Sequence, residues 1–361
     1  MNILHLVPAL ESGGVERGTV DLALALKKFG HNIIVISSGG RMVKYLEDGG
    51  VSHVRLPLHK KSPLTFFLIP RIAKVIRDNK TDIVHASSRV PAWVGFFASR
   101  MAGTRFVTSC HGFYSKHFFS SIMARGELVM VISRAIGKRM SGAFGVPEKK
   151  IRLVYRGVDL KRFPFKADKY DEDKKSYVIL NIGRLTPLKG QYEFIKAMRY
   201  VREKFGNAEA WIAGGAEKGK EAYSERLRGL AEKMKLKKCV KFLGLREDTP
   251  DLLEKADLLV LSTNVQEGFG RTVIEAGAAG CACCASAVGG IKEVIEDGVS
   301  GLLFPPHDEI KMASAIKKML DDAALRKKCA RGLRKKVEEN FTLEKMANQT
   351  LAVYREILGT E

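Results

Sequence analysis

Glu267 and Glu275 stand eight positions apart in the run Glu267-Gly268-Phe269-Gly270-Arg271-Thr272-Val273-Ile274-Glu275. The pattern reads as a glycine-hinged loop entering the first turns of a helix. Gly268 and Gly270 let backbone N–H groups approach a ligand closely, and the positive end of the helix dipole faces any phosphate placed there. A carboxylate cannot itself hold a phosphate, but it accepts hydrogen bonds from hydroxyls, so Glu267 suits sugar hydroxyls and Glu275 a ribose diol. Taken alone, the same spacing also fits a capped surface helix. A second cluster lies upstream, where Asn181-Ile182-Gly183 ends an apolar run and Arg184-Leu185-Thr186-Pro187-Leu188-Lys189-Gly190 leads into a helix. Arg184 offers a guanidinium fork and Lys189 an ammonium, which can neutralise a diphosphate leaving group as a magnesium ion would. Solvated surface charge is the other reading of that segment.

These groups need strands and helices to hold them, and the chain supplies both in alternation. Asn2–Val7 reads as a strand, Val15–Phe29 as a helix stopped by Gly30, and Asn32–Ser37 as another strand, which makes a βαβ unit. Strand-like runs continue at Asp82–Ala86, Phe106–Cys110, Leu128–Ile132 and Ile151–Val154, so a parallel sheet covered by helices is expected. Leu160–Ser176 then breaks the pattern with Pro164 and a dense charge run, and residues 166–176 read as an interdomain linker. A second set follows: Tyr177–Ile182, Ala208–Ala213, Cys239–Leu243, Leu258–Ser262, Cys281–Ala285 and Gly301–Phe304. The expectation is an α/β chain of two doubly wound Rossmann-like domains facing across a cleft, residues 1–165 and 177–342. The amphipathic stretch Leu343–Leu358 can dock back on the first. The two reactive clusters follow the first and fourth strands of one predicted sheet, and ligands of open α/β sheets bind beyond the carboxyl ends of strands.

Composition narrows the classes. A chain of 361 residues with 45% hydrophobic content is long enough for two cores. Neither a leader at Met1 nor an uninterrupted apolar run of about 18 residues is seen, so a cytosolic location is expected. Six cysteines lack paired CxxC spacing, and Cys281, Cys283 and Cys284 sit in an apolar run, which suggests reduced core residues and no metal. Asp171-Glu172-Asp173 lies between lysines in the linker and reads as a charge run, not as a metal-holding Asp-x-Asp. The net charge is +21, and residues 1–166 carry 27 basic against 10 acidic side chains, a net +17. Such asymmetry suits nucleic acid, anionic headgroups or a phosphorylated partner. No nucleic-acid reading module accompanies it, so no nucleic-acid partner is expected.

The ordered set Gly183-Arg184…Lys189-Gly190 and Glu267-Gly268-Phe269-Gly270…Glu275 resembles the family 4 glycosyltransferases of the GT-B fold. Ser12-Gly13-Gly14-Val15-Glu16, Gly157-Val158-Asp159 and Val288-Gly289-Gly290…Glu293…Asp297-Gly298…Gly301 extend the resemblance over nearly the whole chain. It implies a retaining transferase that takes a nucleotide diphosphate sugar as donor and needs no cofactor or metal. Arg184 and Lys189 would hold the pyrophosphate, Glu267 the donor sugar and Glu275 the ribose. Backbone groups of Gly268, Phe269 and Gly270 would line the sugar and phosphate, and Gly13 and Gly14 would close over the phosphates from the first domain. His111, after the apolar run Phe106–Cys110, matches the family's histidine beside the donor sugar, though a histidine at a strand end also serves simply to tie a loop. No protein nucleophile is implied; the leaving phosphate takes the acceptor proton on the same face. Two departures stand out. Arg156 replaces a usual asparagine, and Arg271 and Thr272 occupy helix-start positions that are often apolar, where Arg271 can reach phosphate or acceptor. Arg246, in Leu243-Gly244-Leu245-Arg246, lies where relatives contact the base.

Aromatic and apolar residues of the basic half lie beside cations, in Phe113-Tyr114-Ser115-Lys116-His117-Phe118-Phe119 and in His59–Lys74. Core packing explains them equally well. The other reading is an anionic inner-leaflet surface, peripheral membrane association and a saccharide or lipid-linked acceptor, as in lipopolysaccharide or other cell-envelope glycan synthesis. A sugar-nucleotide epimerase or hydrolase on a similar fold is the competing enzyme class, but no separate acid–base pair is visible for it.

Overall fold

The computed structural model describes residues 1–11, 13–60, 62–166, 170, 176–216, 219 and 221–360. Most of the expected linker, with Asp171-Glu172-Asp173, lies outside the described residues, as does Ser12. The chain folds as two compact units, Met1–Gly157 with Phe341–Glu361, and Val158–Asn340.

The first unit holds β1 (Asn2–Leu6), β2 (Asn32–Ser37), β3 (Ser52–Arg55), β4 (Ile83–Ala86), β5 (Arg105–Cys110), β6 (Val129–Val131) and β7 (Ile151–Leu153). They form one sheet in the order β3-β2-β1-β4-β5-β6-β7, with every pairing parallel. The sheet is covered on both faces, so its inner strands are apolar in succession, as in Ile3-Leu4 and Ile83-Val84. Strand β3 was not legible because Ser52-His53-Val54-Arg55 sits at the sheet edge, half-exposed and without an apolar run. The last helix, Leu343–Leu358, packs into this unit: Met346, Ala347, Leu351 and Tyr354 share a core with Val20, Ala23 and Val35.

The second unit holds β8 (Tyr177–Ile182), β9 (Ala208–Ala213), β10 (Val240–Gly244), β11 (Leu258–Leu261), β12 (Ala282–Ser286) and β13 (Leu302–Phe304). Their order is β10-β9-β8-β11-β12-β13, again parallel. The fold is thus α/β with two doubly wound sheets. Leu258-Leu259-Val260-Leu261 is buried throughout, and Cys283 and Cys284 are buried in β12, with Cys284 in one core with Cys329 and Phe304. All six cysteines are buried free thiols. Tyr170 pins the segment before β8: its hydroxyl donates to Gly280 O at 3.0 Å and accepts from Ala282 N at 2.6 Å.

The helix Arg271–Ala279, which carries Glu275, is placed by a close crossing with the helix Ala323–Asn340. A Cβ on Gly277 would stand 2.7 Å from Leu333 Cγ and 2.8 Å from Val337 Cγ2, so only glycine allows this approach. Gly277→Ala is expected to destabilise the protein by about 1–3 kcal/mol through overpacking, read as a lower denaturation midpoint at unchanged slope.

Candidate active site

The order of the second sheet reverses between β8 and β11. The carboxyl-end rim at such a reversal is where an open α/β sheet takes its ligand. After β8 come Gly183 and the exposed Arg184, then a 3-10 turn, Pro187–Lys189, and the helix Gln191–Lys204. Gly190 joins turn to helix at φ +67°, and a Cβ there would fall 1.8 Å from Ser262 O. Conformation and space together demand glycine. The β11 loop clasps this turn. Ser262 Oγ donates to Lys189 O at 2.9 Å, Thr263 Oγ1 to Leu188 O at 3.0 Å, and Asn264 N to Leu188 O at 2.9 Å. Asn181, inside β8, donates to Val260 O at 2.9 Å and to Ser262 Oγ at 3.0 Å, and Gln191 Nε2 donates to Arg184 O at 3.0 Å.

Lys189 and Glu267, 78 residues apart, meet in this frame with Nζ 2.5 Å from Oε2. Their side chains are 27% and 23% exposed, open enough to reach a ligand and enclosed enough to hold direction. Behind Glu267 runs the Val288-Gly289-Gly290 turn: Gly290 N donates to Glu267 O at 2.9 Å, and a Cβ on Gly289 would meet that same oxygen at 2.1 Å. Gly268, Phe269 and Gly270 are buried, and Gly270, at φ +88°, starts the helix Arg271–Ala279. Arg271 Nε donates to Glu275 Oε1 at 2.8 Å along one helix face, and Thr272 lies half-buried beside it. Arg246 follows β10, two strands from β8, where its guanidinium forks onto Asp248 with Nε at 2.7 Å from Oδ1. Gly214 N donates to Gly244 O at 2.8 Å, and Leu185 N to Gly215 O at 3.1 Å, so loops after β8, β9 and β10 form one edge.

In the first unit, Gly13 and Gly14 open the helix Gly14–Lys28. A Cβ on Gly18 of that helix would stand 2.3 Å from Arg156 Nη1, which places the buried Arg156 against the helix. His111 follows β5, its Nε2 2.8 Å from Ser109 Oγ. Burial, then Arg156, then His85 and His5 hold its pKa well below the ordinary histidine value. His5 and His85 are themselves buried and stacked, centroids 4.2 Å apart, and burial foremost lowers both, His5 to about 3. Sequence reading missed these two histidines, together with Asn181, Gln191 and Ser262. The available signal was a polar residue interrupting or ending a buried apolar strand. Among the described residues, no three His, Cys, Asp or Glu side chains gather as metal ligands.

Elsewhere on this unit, three segments converge on one aromatic cluster. Phe66 of the turn Pro63–Leu68 lies 6.4 Å from Trp93 and 6.1 Å from Phe97 of the helix Arg89–Ala102, and Phe118 lies 5.3 Å from Trp93. Leu64, Phe67 and Phe118 are 70%, 79% and 77% exposed. The exposed Lys60, Arg71, Lys74, Arg100, Lys116 and Arg125 come from the same three stretches, and no carboxylate occurs between Asp48 and Asp78 or between Asp82 and Glu127.

Two parallel doubly wound sheets, with a cation, a carboxylate and a glycine frame at the switch point of one, are the arrangement expected of a GT-B glycosyltransferase. The Glycosyltransferase Family 4 model matches residues 12–162 and the Glycosyl transferases group 1 model residues 163–336. A crystal structure of a glycosyltransferase from Rickettsia africae has a TM-score of 0.89 at 30% identity, with 100% of this chain and 99% of that one covered. The chain belongs to the family 4 glycosyltransferases. An uncharacterized glycosyltransferase of Methanocaldococcus jannaschii is 27% identical over 95% of this chain and 94% of its own. The UDP-Gal:alpha-D-GlcNAc-diphosphoundecaprenol alpha-1,3-galactosyltransferase of Escherichia coli is 24% identical over 97% and 95%.

The buried histidines fix the sign of an acid effect. His5 binds a proton near pH 6.5 when unfolded but only near 3 when folded, so between these values the unfolded state holds more protons and stability falls as pH falls. At pH 5 this one group is expected to remove about 2 kcal/mol relative to pH 8, and His5→Phe to flatten the dependence, as denaturant titrations across that range can measure.

Proposed function

We propose that this transferase moves a hexosyl or related sugar, with retention, from a nucleotide diphosphate donor to a saccharide or lipid-linked acceptor, without a metal. The observation that carries the reading is the contact of Lys189 with Glu267 at the switch point. It sets a cation for the diphosphate beside a carboxylate for the sugar hydroxyls. As the bond from the sugar's anomeric carbon to the β-phosphate oxygen breaks, Arg184 and Lys189 stabilise the charge gathering on the diphosphate. The acceptor oxygen bonds to the anomeric carbon on the same face, and its proton passes to the leaving phosphate. Glu267 orients the donor sugar. Glu275, with Arg271 along the same helix face, is read as the ribose acceptor, and Gly13 and Gly14 as a backbone approach to phosphate. His111 is read, on the family resemblance, as the histidine beside the donor sugar.

The acceptor reading is supported by the E. coli relative, whose name gives a diphosphoundecaprenol-linked acceptor. It is supported again by the exposed rings and carboxylate-free basic stretches of the first unit. Rings in the headgroup region and cations worth about 1 kcal/mol each near an anionic surface suit peripheral attachment to the inner membrane and work in cell-envelope glycan synthesis. No described helix is long and apolar enough to cross a membrane.

Thermal melts with UDP, GDP, ADP and CMP, each in EDTA, test the donor side. One diphosphate is expected to raise the midpoint selectively, and no shift from any would count against the site. Lys189→Ala and Glu267→Ala are each expected to cut transfer by about 10²-fold or more while costing at most about 1 kcal/mol of stability. Flotation with vesicles of phosphatidylglycerol tests the surface. The protein is expected to float at low salt and to be released at high salt, and Phe67→Ser with Phe118→Ser to abolish flotation without lowering the melting temperature.

A further inference from the structure

One line of buried polar groups in the first unit is not explained by donor or acceptor binding. It crosses three neighbouring strands of the sheet, β1, β4 and β5. His5 Nε2 lies 2.6 Å from Ser87 Oγ, Ser87 Oγ lies 2.9 Å from Ser109 Oγ, and Ser109 Oγ lies 2.8 Å from His111 Nε2. His5 is register partner to His85 and stacks on it with ring planes 11° apart. His85 Nδ1 in turn meets Tyr354 OH of the last helix at 2.7 Å. The rings are therefore fixed in plane by packing, and the far end of the line is anchored by the C-terminal helix.

Counting protons along this line gives a constraint. Three contacts need three hydrogens, and the two serine hydroxyls supply one each. The third must come from an imidazole Nε2–H, at either His5 or His111. If both carried it, a hydrogen would be left over between donors; if neither did, one contact would lack a donor. Both imidazoles are held neutral by burial, with Arg156 adding to the effect, so each carries one ring hydrogen. His5 and His111 must then be opposite tautomers. His111 Nδ1 is the atom this leaves for chemistry: it is buried and has no hydrogen-bond partner among the described residues.

We propose that Ser87 and Ser109 couple the tautomers of His5 and His111, so that a residue two strands away decides whether His111 Nδ1 offers a hydrogen or a lone pair. With hydrogen on His5 Nε2, both hydroxyls point toward His111, whose Nδ1–H can donate to a sugar hydroxyl oxygen. With hydrogen on His111 Nε2, both hydroxyls point toward His5, and His111 Nδ1 accepts. Either state satisfies all three contacts; the two differ in whether the buried His111 Nδ1, which has no partner among the described residues, carries a hydrogen or a lone pair. Ser87, Ser109 and His5 are positioning residues on this view. Their effect on transfer rests on the family-implied place of His111 beside the donor sugar; the coupling itself does not.

Long-range proton–nitrogen correlation spectra of protein with 15N-labelled histidine read each ring's tautomer, with His5→Gln and His111→Gln giving the assignments. Opposite tautomers at His5 and His111 are expected in the unsubstituted protein. Ser109→Ala and His5→Phe are each expected to turn His111 into a mixture, and Ser109→Thr to restore the single form. Like tautomers at the two positions, or a His111 signal unmoved by both substitutions, overturn the coupling. Transfer, measured with the donor selected by the nucleotide melts, is expected to lose roughly tenfold or more in kcat in Ser109→Ala, with the donor KM kept. Unchanged transfer in His111→Gln would remove His111 from the reaction, whereas the coupling stands or falls on the tautomer spectra alone.

Discussion

The reversal of strand order between β8 and β11 governs everything else about the candidate site. Parallel strands send all their carboxyl ends to one edge, and ligands of open α/β sheets bind outside that edge at the point where the strand order reverses. Lys189 and Glu267 are far apart in sequence and meet only because β8 and β11 are neighbours. The surrounding detail serves that meeting. Gly190 turns the chain where a side chain would strike Ser262, and Gly289 and Gly290 press a second turn against the backbone of Glu267 and Gly268. Gly277 lets a helix from the end of the unit set the position of Glu275.

The first unit has the same topology, with its reversal between β1 and β4, yet it is furnished differently. Its inner strands carry histidines where apolar residues would pack more cheaply. Burying neutral imidazoles costs stability below pH 6.5, as the lowered pKa of His5 requires. Such a cost is sustained when the polar atoms are hydrogen-bonded, and Ser87, Ser109 and Tyr354 supply those bonds.

The fold was largely legible because parallel strands buried on both faces write themselves as short apolar runs. Only β3, polar and at the edge, left no such trace. Site residues were legible where chemistry and glycine geometry coincide, as at Lys189-Gly190 and Glu267-Gly268. What could not be read was three-dimensional pairing. Arg271, at a helix start, was open to phosphate or acceptor by sequence, but four residues along the same face it finds Glu275. Arg156 looked like an irregular contact and proves to be buried against Gly18. Trp93 and Phe97 carried no signal, since their spacing on a helix is also that of a core face. Only the fold brings them to Phe66 and Phe118 on an exposed surface.

Lys189 and Glu267 are best understood as one unit. A carboxylate beside a diphosphate is repulsive unless a cation stands between them, and on the proposed reading Lys189, 2.5 Å from Glu267, is that cation. Glu267 in turn directs the long lysine stem past Gly183, where an added Cβ would lie in ordinary contact 3.6 Å from Lys189 Cγ. Removing either group therefore does two kinds of harm. On the proposed reading, loss of Lys189 would take away a phosphate contact and also leave Glu267 repelling the ligand, while loss of Glu267 would take away a sugar contact and also free the ammonium from its direction. The harms overlap, so replacing both by alanine should cost less in transition-state free energy than the two single costs added together. A double-mutant cycle on kcat/KM measures that difference, and strict additivity would mean that the two side chains act on the ligand independently.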